Sequence, residues 1–319
     1  MPPVRFDQLR SRDHISLVWG VATEDLDAIV RTVDQQSHYR LMQVPKRGAK
    51  NRGRFRTIHK PEWGVLHQLQ KNIARDIGDT VSFPDCVQGF VRGRSTRTNA
   101  ELHVGRRVIV HADIADFFDQ IRLDQVSRAF VGLGCDPAIA AVLARVCTLN
   151  GRLPQGASTS PVVANLVCTT LDAELTRLAT LQRVRYSRYA DDLTFSGDAP
   201  PDLDAIRRVV EGQGFALRED KVRSQWRGKS QFVTGLSVGD ASGPRVPARE
   251  KRRLRQELYY ARRYGIANHQ ARAQVGQDWH EERLLQYWRG WIDYVSSIPA
   301  EGAVAGRLRS QLDAIRQRR

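Results

Sequence analysis

Apolar positions along the chain alternate between two periods, and the switches mark the elements. Leu26, Ile29, Val30 and Val33 recur at helical spacing, with Thr23 placed ahead of them as a cap. Val65, Leu66, Leu69 and Ile73 put a second apolar face on a helix predicted over Glu62–Ile77. Between them the stretch Pro45–Arg56 (PKRGAKNRGRFR) carries Gly48 and Gly53 and no apolar face, which predicts a hairpin. Arg107–Ile114 is a short apolar run ending at Asp113, the pattern of a buried strand. Helices follow over Leu123–Phe130 and Ala138–Leu149, separated by Gly132, Gly134 and Pro137. A polar loop spans Leu153–Pro161, and one helix is predicted from Val162 to Leu178.

Arg185–Tyr189 and Leu193–Ser196 then read as two strands meeting at Ala190–Asp192. Leu203–Gly212 reads as a helix ended by Gly214, and Ser230–Ser237 as a last strand. The order from Arg107 is strand, helix, hairpin, helix, strand, which predicts a β-α-β-β-α-β sheet with helices on one face. After Gly243-Pro244 the pattern becomes helical. Ala248–Tyr264 is a basic helix closed by Gly265, and Glu281–Ser297 carries Leu284, Trp288, Trp291 and Val295 as a packing stripe.

Charge narrows the partner. The 50 Lys and Arg outnumber 35 Asp and Glu, for a net charge of +15. The excess is clustered, with eight Lys or Arg and no acid from Arg40 to Lys60, and 16 basic against 8 acidic residues from Arg245 to Arg319. Such clusters point to a polyanion, usually nucleic acid. No apolar run reaches the roughly 18 residues of a membrane span, and the N-terminus has no apolar signal core, so a cytoplasmic location with no membrane partner is expected. Cys86, Cys135, Cys147 and Cys168 form no CxxC pair, which argues against a zinc site.

Three carboxylates carry the candidate chemistry. Asp113 ends a strand, and Asp191 and Asp192 lie 78 and 79 residues later at a strand–strand turn. Sequential strands tend to be neighbours, so one sheet can bring the three together. Clustered carboxylates are costly without a cation, and oxygen-only donors favour Mg²⁺, with Mn²⁺ as the alternative. Two ions would serve a phosphoryl transfer. Taken alone, an Asp-Asp pair is an ordinary turn. Asp116 and Asp119 lie near Asp113 but are set off by alternation and distance.

The surrounding residues resemble a known family. Tyr189-Ala190-Asp191-Asp192 resembles the YxDD signature of reverse transcriptases, Asp113-Ile-Ala-Asp-Phe-Phe118 their first metal-binding motif, and Leu153–Pro161 (LPQGASTSP) their LPQG…SP motif. Asn99–His103 (NAELH) and Val233-Thr234-Gly235 resemble the NAxxH and VTG motifs of retron enzymes, and the segment Trp288–Trp291 is also similar. Ser158 departs mildly from many of them. The resemblance covers Pro45 to Gly239.

It implies an α/β (α+β) right-hand polymerase: fingers over 1–106 and about 120–165, a ferredoxin-like palm over 107–243, and a helical RNA-binding thumb over 244–319. It implies RNA-directed DNA synthesis with two Mg²⁺ ions held by Asp113, Asp191, Asp192 and the carbonyl of Ile114. Lys221 would protonate the leaving pyrophosphate. Arg56 and Lys46 would hold the dNTP phosphates, Phe118 would exclude a 2′-OH, and Gln155 and Gly156 would line the nucleotide site. Asn99 and His103 would handle retron RNA, Val233, Thr234 and Gly235 would meet the primer end, and Arg252 and Arg255 would track an RNA duplex. Trp226, Trp279, Trp288, Tyr259 and Tyr260 are candidates to stack on bases, with core packing the better reading for Trp288 and Trp291.

The implied partner is a structured non-coding RNA (msr–msd type) serving as template and primer, yielding branched RNA-linked DNA (msDNA), with a separate effector in antiphage defence. Another bacterial reverse transcriptase (abortive-infection, CRISPR-associated or group II-like) and a catalytically silent RNA-binding scaffold are the alternatives.

Overall fold

The computed structural model describes residues 4–45, 53, 55–272 and 279–317. In chain order its main elements are α1 (Arg12–Trp19), α2 (Thr23–Thr32), β1 (Tyr39–Pro45), β2 (Phe55–Pro61), α3 (Val65–Thr80), α4 (Thr96–Glu101) and β3 (Val108–Asp113). Then come α5 (Phe117–Gln120), α6 (Leu123–Gly132), α7 (Pro137–Cys147), α8 (Ser160–Val167), α9 (Thr169–Leu181), β4 (Arg185–Tyr189), β5 (Asp192–Gly197) and α10 (Leu203–Gly212). The remainder is β6 (Arg223–Trp226), β7 (Phe232–Val233), β8 (Leu236–Ser237), α11 (Ala248–Tyr264), α12 (Ile266–Arg272), α13 (Glu281–Ser296) and α14 (Gly302–Arg316).

The four-stranded sheet runs β4-β5-β3-β6. β3, first in sequence, therefore lies inside, beside β5, as expected of a β-α-β-β-α-β sheet. All six residues of β3 are buried, which explains why its sequence is an unbroken apolar run apart from His111 and Asp113. The fourth strand differs from the expectation. It is Arg223–Trp226, not Ser230–Ser237, which instead holds the two-residue strands β7 and β8. β6 is an edge strand with mostly exposed side chains, so it needs no apolar alternation and left no pattern to read.

Two other local expectations shift. Thr23 is the first residue of α2 rather than its cap; its hydroxyl donates to Asp13 Oδ1 at 2.9 Å and contacts Ser16 Oγ at 3.1 Å. The single helix expected over Val162–Leu178 is two, α8 and α9, meeting at Cys168. The Thr169 hydroxyl donates to the Leu166 carbonyl at 2.8 Å, a local bond that competes with the helical ladder. Most of the basic stretch in which a hairpin was expected lies outside the described residues; the strands flanking it, β1 and β2, pair antiparallel from Tyr39↔Pro61 to Pro45↔Phe55.

The chain forms two compact units. One comprises Met1–Ser95, Val110–Phe195 and Pro200–Arg223. There α6 packs on α7, and α3 on α7 and α8, burying Leu69, Ile73, Phe130 and Leu143. The other comprises Thr96–Ile109, Ser196–Ala199 and Ser224–Arg319. Its helical core joins Leu254 and Leu258 of α11 to Leu284, Trp288 and Ile292 of α13 and Leu308 and Leu312 of α14. All four cysteines are buried free thiols. Among the described residues, no helix is long and apolar enough to cross a membrane.

Candidate active site

Strand order brings the carboxylates together. β3 ends at Asp113 and its neighbour β5 begins at Asp192. The Ile114 N–H donates to the Asp191 carbonyl at 2.9 Å, tying the end of β3 to the β4–β5 turn. That turn places Ala190 at φ +58, a left-handed conformation uncommon outside Gly, Asn and Asp. A third segment closes on the same spot. The Arg218 N–H donates to the Asp113 carbonyl at 2.7 Å, and Ala115 N–H to the Ala216 carbonyl at 2.8 Å. This carries Lys221 Nζ to 2.7 Å from Asp113 Oδ2. Arg218 Nε lies 3.8 Å from Asp113 Oδ1, and Arg218 also pairs with the exposed Asp116 at 3.1 Å.

The electrostatics are those of crowded acids. Packing by protein raises the Asp191 carboxyl above its ordinary value, and the charge of Asp113 adds to this. Asp192 sits at the rim and keeps contact with solvent. Surrounding protein, then Asp191 and Asp113, still push its carboxyl up to about 6. Among the described residues, no group of three His, Cys, Asp or Glu side chains is arranged to hold a metal ion as it stands; Lys221 supplies the neutralising charge instead. The donors nonetheless suit a divalent cation. They are oxygen only, Asp113 Oδ1 is buried without a hydrogen bond, and a cation beside Asp191 and Asp192 would offset both the burial and the mutual repulsion that raise the two carboxyls.

Beside the acids lie three aromatic rings. Phe117 is buried and Phe118 half-buried, their centroids 5.3 Å apart. They sit on the one-turn helix α5, entered through Asp116 at φ +37. Adjacent helical residues point about 100° apart, which still separates the rings. Phe90, half-exposed and at φ +62, faces Phe118 with centroids 6.4 Å apart. Gln155 is half-buried, and its carbonyl accepts from the His59 N–H at 2.7 Å. Gly156, at φ +118, abuts β2 closely: a Cβ there would lie 2.5 Å from Ile58 Cγ2. The close neighbour at Gly156 is thus a protein strand. Arg56 is exposed on β2, two residues from Ile58 and so on the same strand face. Lys46 lies outside the described residues.

In the second unit, Asn99 and His103 are fully buried, and His103 Nδ1 is 2.7 Å from Ser196 Oγ. Neither side chain is accessible for the RNA contact expected of it. Val233 is buried too. Thr234 and Gly235 form the two-residue loop between β7 and β8, at φ +46 and +83, a pairing of left-handed residues that suits a tight hairpin. The Thr234 hydroxyl donates to the Thr96 carbonyl at 2.7 Å. Arg252 and Arg255 are exposed on α11, as are Tyr259 and Tyr260. Trp226 is exposed as well. Trp288 is fully buried and donates to Glu257 Oε2 at 2.9 Å, so it cannot stack on bases. Trp279 packs against Tyr287, with Arg283 over its face.

Comparison with known proteins adds one finding. Residues 44–235 match the family model described as reverse transcriptase (RNA-dependent DNA polymerase). The chain belongs to this family. It is similar to the retron Mx65 reverse transcriptase of Myxococcus xanthus, 34% identical over 303 residues, covering 87% of this chain and 67% of the relative. It is 28% identical to the retron Ec86 reverse transcriptase of Escherichia coli, covering 88% and 82% of the two chains. Against the retron Mx162 reverse transcriptase of Myxococcus xanthus the figures are 32%, 79% and 59%. This reverse transcriptase is therefore an RNA-directed DNA polymerase of the retron type, with an α+β polymerase fold. Its family uses divalent metal ions.

Several residues at the reverse transcriptase's site escaped sequence reasoning. Arg218 looked like one basic residue among many. Phe90 lies in a loop with no chemical signature. Arg188 and Asp172 are fully buried in one ion pair. That pair left no trace either, since Arg188 stands in the polar run Arg-Tyr-Ser-Arg-Tyr and Asp172 near Glu174 in a helix.

Proposed function

We propose that this reverse transcriptase copies a structured non-coding RNA, of the msr–msd type, that serves as both template and primer. The product is single-stranded DNA branched from a 2′-OH of that RNA. In this reading a separate effector protein completes a system of antiphage defence. The observation that carries the proposal is 34% identity over 303 residues to a retron reverse transcriptase in a chain whose three aspartates converge at the β3 end and the β4–β5 turn.

In this reading Asp113, Asp191 and Asp192, helped by the Ile114 carbonyl, hold two Mg²⁺ ions. When bound, such ions lower the pKa of the attacking hydroxyl and neutralise charge on the triphosphate. The chain's own residues do the rest. Phe118 lies under the sugar and its ring leaves no space for a 2′-OH. Arg56 directs its guanidinium to phosphate oxygens in paired hydrogen bonds, with Lys46 as a second cation. Gln155 and Gly156 hold the edge of the nucleotide site against β2. Lys221, released from Asp113, donates a proton to the departing pyrophosphate. Thr234 and Gly235 meet the primer end from the tip of their hairpin. Asn99, His103 and Val233, being buried, act on RNA through the backbone they support. Arg252 and Arg255 contact phosphates of an A-form duplex.

The test has two arms. Asp191→Asn with Asp192→Asn is expected to abolish dNTP incorporation while RNA binding, measured by filter retention, survives; undiminished synthesis would refute the carboxylate assignment. Sequencing of nucleic acid that co-purifies with the wild-type chain is expected to return one small RNA covalently joined to DNA. Unrelated sequences, or DNA without an RNA branch, would refute the retron-specific part.

A further inference from the structure

Beneath the aspartate turn lies a charged network that the chemistry above does not use. Arg188, the residue before Tyr189, is fully buried, as is Asp172 of α9. Its Nε and Nη2 donate to Asp172 Oδ1 and Oδ2 at 2.9 and 2.7 Å. Its Nη1 donates to Asn165 Oδ1 at 3.1 Å and to the Ala190 carbonyl at 3.2 Å. Tyr186 completes Asp172 with a hydroxyl bond of 2.8 Å.

The same residues hold a second segment. The Arg188 N–H donates to the Cys86 carbonyl at 2.7 Å, and the Arg188 carbonyl accepts from Gln88 and Gly89 at 2.7 and 3.4 Å. Asn165 Nδ2 donates to the Gly89 carbonyl at 2.9 Å. The segment so held ends in Phe90, the ring that faces Phe118.

A buried ion pair is weak evidence for stability, since desolvation offsets most of the attraction. What this one supplies is geometry. Both structures it grips are strained: Ala190 at φ +58 and Phe90 at φ +62. Non-glycine residues persist in that region when their surroundings over-determine them. We propose that Arg188, oriented by Asp172, is a positioning residue that sets the Asp191–Asp192 turn in register with the Phe90–Phe118 ring pair. One guanidinium thereby couples the metal-holding side of the site to the nucleotide side. A lysine cannot replace it, because an ammonium lacks the planar fork that reaches Asp172, Asn165 and Ala190 together. The proposal rests on the assignment of Asp191 and Asp192 to metal binding.

The test uses the full chain carrying Arg188→Lys. A second variant, Arg188→Met with Asp172→Leu, removes both buried charges at once and so leaves neither uncompensated. Three quantities are read: the thermal transition, Mn²⁺ binding followed by electron paramagnetic resonance, and kcat and KM for one dNTP on an RNA template with a DNA primer. The expected result is a folded protein in which Mn²⁺ binds about tenfold or more weakly and kcat falls about 100-fold, the scale of an ångström-sized misplacement. Asn165→Leu, which removes the hold on Gly89 and one acceptor of the guanidinium but leaves its bonds to Asp172 and Ala190, is expected to raise KM for dNTP more than it lowers kcat. A folded Arg188→Lys enzyme with Mn²⁺ affinity and kcat near wild type would overturn the proposal. So would failure of both Arg188 variants to fold, since the pair would then be a requirement of the fold. Asp191→Asn with Asp192→Asn separates the two readings: if that control still binds Mn²⁺ and makes DNA, the carboxylate assignment fails instead.

Discussion

Gly89→Ala is the most direct way to move the aspartate turn without touching an aspartate. A Cβ at Gly89 would stand 2.6 Å from Ala190 N, 3.1 Å from Tyr189 C and 3.3 Å from Tyr189 Cα. All three are backbone atoms, so no side chain can swing aside. Reaching an ordinary contact of 3.4 Å requires the two segments to part by about 0.8 Å. Either the turn shifts, taking Asp191 and Asp192 with it, or the 86–90 segment shifts, taking Phe90. Misplacement on this scale costs about 100-fold in rate, or about 2.7 kcal/mol of activation free energy. The assay is single-nucleotide incorporation by purified enzyme on an RNA template with a DNA primer, at saturating dNTP, beside a thermal melt. Gly78→Ala is the control. It lies exposed in α3 with nothing within 4 Å of a built Cβ, and should leave kcat unchanged while adding about 0.4–1 kcal/mol of stability. A Gly89→Ala enzyme that folds and keeps kcat near the wild-type value would refute the reasoning.

Two further outcomes concern Phe118 and the basic helix α11. Phe118→Val should raise incorporation of a ribonucleotide relative to its deoxy counterpart by about 10- to 100-fold, the scale of discrimination over one hydroxyl in an apolar pocket; an unchanged ratio in a competition assay would remove Phe118 from sugar selection. Arg252→Ala with Arg255→Ala should flatten the dependence of log K on log salt for duplex RNA by about 1.4–1.8, with kcat on a saturating template unchanged. An unchanged slope would take α11 off the phosphate track.

Much of the site was legible because its residues are local in sequence. The buried run ending at Asp113 announced a strand, the strand pair around Ala190 announced a hairpin, and the charge balance announced a polyanion. Period and motif are short-range properties, so one sequence suffices to show them. The edge strand β6 was not legible, because exposed positions place no demand on hydrophobicity. Nor was the break between α8 and α9, which falls in a helix-compatible run with no Gly or Pro to mark it.

Tertiary structure alone decided how the pieces meet. It put β3 beside β5, which is what sets Asp113 next to residues 78 positions away. It turned Asn99 and His103 inward, away from the RNA contact their motif suggested. It brought Lys221 and Arg218 onto Asp113 through backbone bonds between the 215–221 segment and the end of β3. The aspartates themselves could be named from sequence. Their proximity followed from the expected strand order, but the charges and rings packed around them did not, because those are long-range consequences of burying a core.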